Sequence, residues 1–342
     1  MSVEADGSVG TDTAGDQDPA DRAGPPTVVV GVDGSPGSRA ALVYAITAAA
    51  RRGAALEVVA TFALQAVWVG GYPLGMPEVA TVREELEKRV AALVAEVRGD
   101  PAVVAVPGAA DVRTRLVISV GPPSQRLVDA SAAADLLVVG SRGRGAVRSA
   151  LLGSVALHCV THARCPVVVV HPAAAGHRRV RTVLVGIDGS EASRVALRAG
   201  LAEAARLDAE TVAVSTFEMA DHWVDLRTVV VPTVDEVRWQ VQSGAEAMLE
   251  DTVAEHRADH DGHAPAARAV VAEGPPADIL VQWAADAELL VVGSRGHGEL
   301  RGLLVGSVAL ACVMHAVGPV LVVHPPSDRV VVRAGQEAAA GG

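Results

Sequence analysis

Lysine is almost missing from this chain. Lys88 is the single one among 342 residues, so the lysine that a G-x-x-x-x-G-K-[ST] phosphate loop requires is not available, and the conventional P-loop NTPases are excluded. Aromatics are scarce as well: four Trp, two Tyr and two Phe, in a chain of formal net charge −11. Few rings and an acidic balance argue against a phosphate-tracking, base-stacking surface, and so against a nucleic-acid partner. Three cysteines, Cys159, Cys165 and Cys312, cannot complete a set of intramolecular disulfides. Their scarcity suits a reducing compartment, and free thiols in a cytoplasmic protein are expected. No run of 18 uncharged apolar residues occurs, so no membrane span is expected. Residues 1–26 carry six acidic side chains against Arg22 alone, with no basic stretch leading into an apolar one. They do not read as a secretory signal. Rich in Gly, Asp, Ser and Thr, they bury too little apolar surface to offset their ordering entropy and are expected to form a disordered acidic tail.

What the sequence does have is apolar material and a repeat. Half the residues are apolar and 20% are charged, enough for packed cores in two domains of ordinary size. Residues 28–42, VVVGVDGSPGSRAAL, return as VLVGIDGSEASRVAL at 183–197, an offset of 155. From VGPPSQRL (120–127) against EGPPADIL (273–280) the offset becomes 153. A period of that length is far beyond a solenoid unit of about 20–50 residues, so each copy is a whole domain. The boundaries expected are 27–172 and 182–325, with a linker at 173–181 and a polar tail at 326–342 that includes a short edge strand at 329–333.

Within the first copy, VVVGV (28–32), LEVVATF (56–62), TRLVIS (114–119), DLLVVG (135–140) and PVVVVH (166–171) read as strands. Continuous apolar runs suit central strands covered on both faces. The stretches near 37–52, 77–98, 123–134 and 149–163 read as helices. Strands alternating with helices imply right-handed crossovers and an α/β fold: two tandem, doubly wound, five-stranded parallel-sheet domains of Rossmann-like type.

In such a sheet ligands sit beyond the carboxyl ends of the strands, at helix amino termini. The first strands end in GVDGS (31–35) and GIDGS (186–190), which places Asp33 and Asp188 at the strand tips. Alone, that pattern reads as a helix cap followed by a turn. The fourth strands lead into GSRGRGAVRSALLGSVA (140–156) and GSRGHGELRGLLVGSVA (293–309). Both keep the spacing Gly, two residues, Gly, nine residues, Gly-Ser: Gly140, Gly143, Gly153, Ser154 and Gly293, Gly296, Gly306, Ser307. Glycine backbone can approach a ligand closely and its amides can cradle an anion, while the Gly-Ser pair opens a helix whose first amides suit a terminal phosphate. Arg142, Arg144 and Arg148, with Arg295 and Arg301, add positive charge to these loops. Neither first-strand turn carries G-x-G-x-x-G, against a dinucleotide fingerprint. No Ser-His-Asp set, G-x-S-x-G elbow or H-E-x-x-H occurs.

Two further groups were weighed. His158, Cys159, His162 and Cys165 are of zinc-ligating types, but the second copy has Ala311, Cys312, His315 and Gly318 in their places. A structural reading is preferred, with histidine in a helix's last turn facing its final carbonyls. His171 and His324, each at a strand end before proline, read as surface residues and not as catalytic bases.

Together V-G-[VI]-D-G-S, the Gly-x2-Gly-x9-Gly-Ser loop and the closing CPVVVV or GPVLVV strand resemble the universal stress protein family over about 28–172 and 183–325, in a tandem arrangement. The resemblance to its ATP-binding branch implies that the first-strand aspartate and adjacent backbone hold adenosine, that the glycine loop wraps ribose and phosphates, and that the Gly-Ser pair meets the distal phosphates. The candidate nucleotide-contacting residues are then Gly31, Asp33, Gly140, Arg142, Gly143, Gly153, Ser154 and Val155, with Gly186, Asp188, Gly293, Arg295, Gly296, Gly306, Ser307 and Val308. Backbone at 59–61 and 214–216 would contact adenine. The implied cofactor is ATP with Mg2+. The resemblance further implies that the fifth strands, 166–171 and 319–324, pair antiparallel within the chain as a pseudo-dimer, with a homodimer of chains still open. The leading expectation is an ATP-binding regulatory protein with little turnover. Two alternatives stand beside it: a slow ATP hydrolase or nucleotidyl-transfer enzyme in which Asp33 and Asp188 reach magnesium, and a nucleotide-free partner-binding scaffold.

Overall fold

A computed structural model of the chain describes residues 25–63, 67–69, 72–75, 78–143, 152–172, 180–218, 233–296 and 305–325. The first half runs β1 (Thr27–Gly31), α1 (Pro36–Arg52), β2 (Ala55–Phe62), β3 (Val67–Val69), β4 (Tyr72–Gly75), α2 (Val79–Arg98), α3 (Pro101–Val104), β5 (Thr114–Val120), α4 (Pro123–Ser131), β6 (Leu136–Gly140), α5 (Ser154–His162) and β7 (Val167–Val170). The second half runs β8 (Val180–Gly186), α6 (Glu191–Leu207), β9 (Glu210–Phe217), α7 (Val234–Asp259), β10 (Ala267–Glu273), α8 (Pro276–Ala284), β11 (Ala287–Gly293), α9 (Ser307–His315) and β12 (Val320–Val323). All five expected strands of each copy are present. The small antiparallel pair β3–β4 lies in a segment where no strand was expected. The helix expected from 149 begins only at Ser154, because Gly153 is its extended N-cap. Val180 and Arg181, expected in the linker, already belong to β8. The tails, the remainder of the linker and the edge strand at 329–333 lie outside the described residues.

The main sheet has ten strands in the order β10-β9-β8-β11-β12-β7-β6-β1-β2-β5. Every pairing in it is parallel except the central one, where β12 runs antiparallel to β7 with Val320 opposite Val169 and Val322 opposite Val167. The fifth strands therefore join the two halves, as expected, and each covers an edge the other would leave open. Alternate strand residues point to opposite faces. Val28 and Val30 join a buried cluster on one face, which also holds Leu42, Ile46, Leu197 and Met248. Val29 joins the cluster on the other face with Leu127, Cys159, Leu280 and Cys312. Both clusters contain residues of both domains, so the junction lies inside a continuous core.

Local chemistry fixes the helix starts. The Ser35 hydroxyl accepts from the Ser38 amide at 3.1 Å with proline at the next position, and Ser190 accepts from the Ser193 amide at 3.1 Å. Such caps satisfy amides that have no intrahelical partner. At α7 a full capping box forms between Thr233 and Glu236. α1 stops at Gly53 with φ 60°, whereas α6 stops at the equivalent Asp208 with φ 51°.

In each domain the first strand lies between the second and the fourth, so β1 is flanked by β2 and β6, and β8 by β9 and β11. Successive crossovers leave β1 and β8 in opposite directions, which opens a crevice at their carboxyl ends.

Candidate functional site

The crevice of the first domain is a cavity of about 420 Å3. Three segments build it. The first is the turn after β1. There the Asp33 Oδ1 accepts from the Ser35 amide at 2.9 Å, an Asx turn that leads directly into the cap of α1. Asp188 and the Ser190 amide repeat it at 3.0 Å. The second is the start of α4, where Leu127 closes over the strand end. A Cβ on Gly31 would stand 2.8 Å from Leu127 Cδ1, and one on Gly186 would stand 2.8 Å from Leu280 Cδ1. Absence of a side chain at these two positions thus serves helix–strand packing first.

The third segment is the glycine loop. Gly140 passes so near α1 that a Cβ there would stand 2.6 Å from the Gly37 carbonyl. Ser141 donates its amide to Val170 O at 2.8 Å, and its carbonyl accepts from the Gly153 amide at 2.8 Å. The loop is therefore pinched at its neck, and Ser294 makes the same two bonds to Val323 and Gly306 at 2.8 and 2.7 Å. The Ser35 hydroxyl also donates to Arg142 O at 3.4 Å. Gly143 lies against Asp33 and Gly296 against Asp188. Arg142 is exposed and Arg295 half-buried. Arg144, Arg148 and Arg301 lie outside the described residues.

At the far side of the loop, Gly153 and Gly306 are extended N-caps of α5 and α9, without a side-chain cap bond. The first helical bond of α5 runs from the Leu157 amide to Gly153 O at 3.0 Å. The amides of Ser154, Val155 and Ala156 precede it, and all three residues line the cavity. Amides at a helix start, reinforced by the helix dipole, form a donor set for an anion. Val59, Leu127 and Val139 give the cavity apolar walls, with Thr61 beside them. One end is thus rich in N–H groups and the other suits a flat apolar body. All eight first-domain candidate residues line this one cavity. The sequence reading missed Val32, Ser38, Pro123, Leu127, Val139, Leu152 and Ala156; Pro123 and Leu127 could have been found from GPPSQRL, whose repeat is GPPADIL.

Asp33 is the only carboxylate among the described residues lining the cavity. Among the described residues no group of three or more His, Cys, Asp or Glu side chains converges as a metal site. In α5, the His158 and His162 rings stack at 4.3 Å and His162 Nδ1 lies 3.1 Å from His158 O, a helix-end contact. Burial, then the neighbouring His162, holds the His158 imidazole below its ordinary value. None of the three cysteines is in a disulfide and all are buried; burial pushes Cys159 and Cys312 up to about 12, which makes them poor nucleophiles and ligands. His171 and His324 are not surface groups. Both are half-buried at the junction: His171 Nδ1 and Nε2 each lie 3.0 Å from a carbonyl of the second domain, Gly318 O and Val313 O, and His324 Nε2 lies 2.8 Å from Val160 O of the first. The antiparallel pairing of β7 with β12 carries each ring past the end of its own domain.

Fold and cleft define a tandem doubly wound α/β protein with a ligand-sized hollow at the switch point of its sheet. The chain belongs to the universal stress protein family, whose model matches residues 26–171 and 179–324. A universal stress protein of Mycobacterium tuberculosis is 39% identical over 298 residues, 86% of this chain and 96% of the relative. Another, from Mycolicibacterium smegmatis, is 34% identical over 311 residues, 87% and 97% of the two chains. The crystal structure of a universal stress protein from Archaeoglobus fulgidus superposes with a TM-score of 0.58 at 17% identity, covering 87% of this chain and 98% of that one. At that identity it speaks for the fold alone. Among the described residues no helix is long and apolar enough to cross a membrane.

Proposed function

We propose that this universal stress protein binds ATP in the crevice of each domain and acts as a regulatory protein in the stress response, with little turnover. The observation that carries the reading is the union, in one cavity of about 420 Å3, of the amides of Ser154–Ala156, the glycine loop and an apolar wall at Val59, Leu127 and Val139. That volume falls in the range of about 300–1,000 Å3 usual for small-molecule sites. Triphosphate would lie along Gly140, Gly143 and the start of α5, ribose near Asp33, and adenine toward Val59 and Thr61. The same roles in the second domain fall to Gly293, Gly296, Ser307, Asp188 and the 214–216 backbone.

Magnesium would be held chiefly by the phosphates, since Asp33 is the single carboxylate among the described residues of the first cavity. It would neutralise phosphate charge. Fast hydrolysis needs a placed base or a water-positioning group as well as charge stabilisation. Asp33 is engaged with the Ser35 amide, and among the described residues no second carboxylate or histidine lines the cavity, which supports binding over turnover. The buried cysteines, none of them in a disulfide, support work in the reducing cytoplasm. β7 and β12 cover each other's edges, which supports a pseudo-dimer within the chain.

Mass spectrometry of nucleotide released from natively purified protein, followed by calorimetric titration with ATP, ADP, AMP and cyclic AMP, tests the reading. Adenine nucleotide approaching two per chain, with ATP among the tight ligands, supports it; protein that carries none and binds none is an empty scaffold, and the reading fails.

A further inference from the structure

We infer that the two crevices are unequal and that the first-domain site fills before the second. The inference rests on the ATP reading above and concerns how the two sites share the nucleotide.

Two independent differences point the same way. The first is steric. A Cβ on Gly37 would stand 2.4 Å from Arg142 O, so the absent side chain is what lets the glycine loop settle onto the start of α1. The second copy has Ala192 at that position, and its methyl group occupies the space. At its first glycine the second loop stands further off accordingly: a Cβ on Gly293 would be 2.9 Å from the Ala192 carbonyl, against 2.6 Å for Gly140 and the Gly37 carbonyl, while Gly296 keeps the same close approach to Asp188 that Gly143 has to Asp33. A loop held away from the helix presents its amides to phosphate less closely.

The second difference is charge. In the first domain, the described residues of the segments 31–38, 120–127 and 140–156 include two arginines, Arg126 and Arg142, against one carboxylate, Asp33. The described residues of their counterparts 186–193, 273–280 and 293–309 include one arginine, Arg295, against four carboxylates, Asp188, Glu191, Glu273 and Asp278. Of these, Glu191 replaces Pro36 as the first residue of α6, Asp278 replaces Gln125 in the first turn of α8, and both are exposed. Ile279 replaces Arg126 and packs over Gly274 instead of offering charge. Glu273 is partly offset by Arg238 at 3.6 Å and Glu191 by Arg198 at 3.9 Å. A polyanion meets a more positive mouth in the first domain than in the second, and such exposed charges act over a screening length of about 8 Å at physiological salt.

Calorimetric titration of the full chain with Mg-ATP tests this. Two phases are expected, separated by about tenfold or more in affinity at low ionic strength and drawing together as salt is added. Gly37→Ala should weaken the tight phase alone. Glu191→Gln with Asp278→Gln, at exposed positions where folding is not at risk, should tighten the weak phase several-fold and leave the tight one unchanged. Equal affinities at both sites, or a tight phase that responds to the second-domain pair and not to Gly37→Ala, would overturn the inference while leaving ATP binding intact. Wild-type protein that takes up no ATP would instead remove the reading on which it rests.

Discussion

Asp33 Oδ2 stands 2.5 Å from the point a Cβ on Gly143 would occupy, and Asp188 and Gly296 repeat the arrangement at 2.4 Å. The carboxylate at the first strand's tip is thus packed against the glycine loop, and its other oxygen is held by the Ser35 amide. A methyl group at 143 would have to turn Asp33 out of its Asx turn or push the loop away from α1. Gly143→Ala should therefore weaken ATP binding at the first site by about tenfold or more, which is about 1.4 kcal/mol per decade. Gly296→Ala should do the same at the second. Unchanged calorimetric affinity in both variants, with circular dichroism as in the parent, would separate this contact from nucleotide binding.

Arg52 and Glu203 form an ion pair of 2.5 Å across the domain junction, between α1 and α6, with side chains only 9% and 8% exposed. Arg206 reaches the same Glu203 oxygen at 2.9 Å, and the Tyr44 phenol, buried near Glu203, is driven above its ordinary value by burial first and that charge second. Removing one partner leaves an under-compensated buried charge, so Arg52→Met should destabilise the chain by about 2–4 kcal/mol. Arg52→Met with Glu203→Leu should recover most of that loss, because two apolar groups need no such compensation. Urea unfolding of the single and double variants decides it: equal losses in both would show that the ion pair itself stabilises the junction.

How much of this could be read in advance follows from where each signal lies. Strand positions were legible because the β-branched runs are short, uninterrupted and present twice. The Gly-Ser openings of α5 and α9 were legible for the same reason. Gly37 was passed over because the repeat breaks there, with Ala192 in its place, and its role depends on a carbonyl 105 residues later in the chain. The Arg52–Glu203 pair has no copy either: Leu207 and Ala48 stand at the equivalent positions. His171 looked like a surface residue because histidine before proline at a strand end usually is one. Its acceptors lie 142 and 147 residues away and are brought near only by the antiparallel join, which local patterning does not encode.

The last turn of α7 makes stability depend on pH. His256 is 7% exposed and its ring stacks on His260 with centroids 4.0 Å apart. Burial first, then the charge on His260, lowers the His256 imidazole below its ordinary value. The folded chain therefore binds its proton less readily than the unfolded chain, whose histidine titrates near 6.5. Stability from this group is fully present above that value and is lost as pH falls through the lower, folded one. His256→Gln should flatten the acid side of the profile as pH falls below about 6.5, measured as the urea midpoint. A variant with the same slope as the parent would place the acid sensitivity elsewhere.

His171 gives the domain junction a polar clasp. Its two ring nitrogens lie 3.0 Å from Gly318 O and 3.0 Å from Val313 O. A neutral imidazole carries one N–H and can serve one of these carbonyls, whereas the imidazolium serves both. His324 makes the reciprocal contact, donating from Nε2 to Val160 O at 2.8 Å. Each lost hydrogen bond to a half-buried carbonyl costs about 0.5–1.5 kcal/mol, and more where the acceptor is left dry. His171→Ala with His324→Ala should therefore lower overall stability by about 2–4 kcal/mol. The larger consequence concerns cooperativity. With β7 and β12 paired and both cores continuous across them, the wild-type chain should unfold in one transition. Loosening the junction should let the halves unfold separately, because each retains its own five strands. Denaturant unfolding followed by tryptophan fluorescence and by far-ultraviolet circular dichroism reads this directly: coincident curves in the wild type and divergent curves in the double variant are expected. Coincident curves in both would assign the coupling to the β7–β12 ladder and its valines, with the histidines contributing nothing to it.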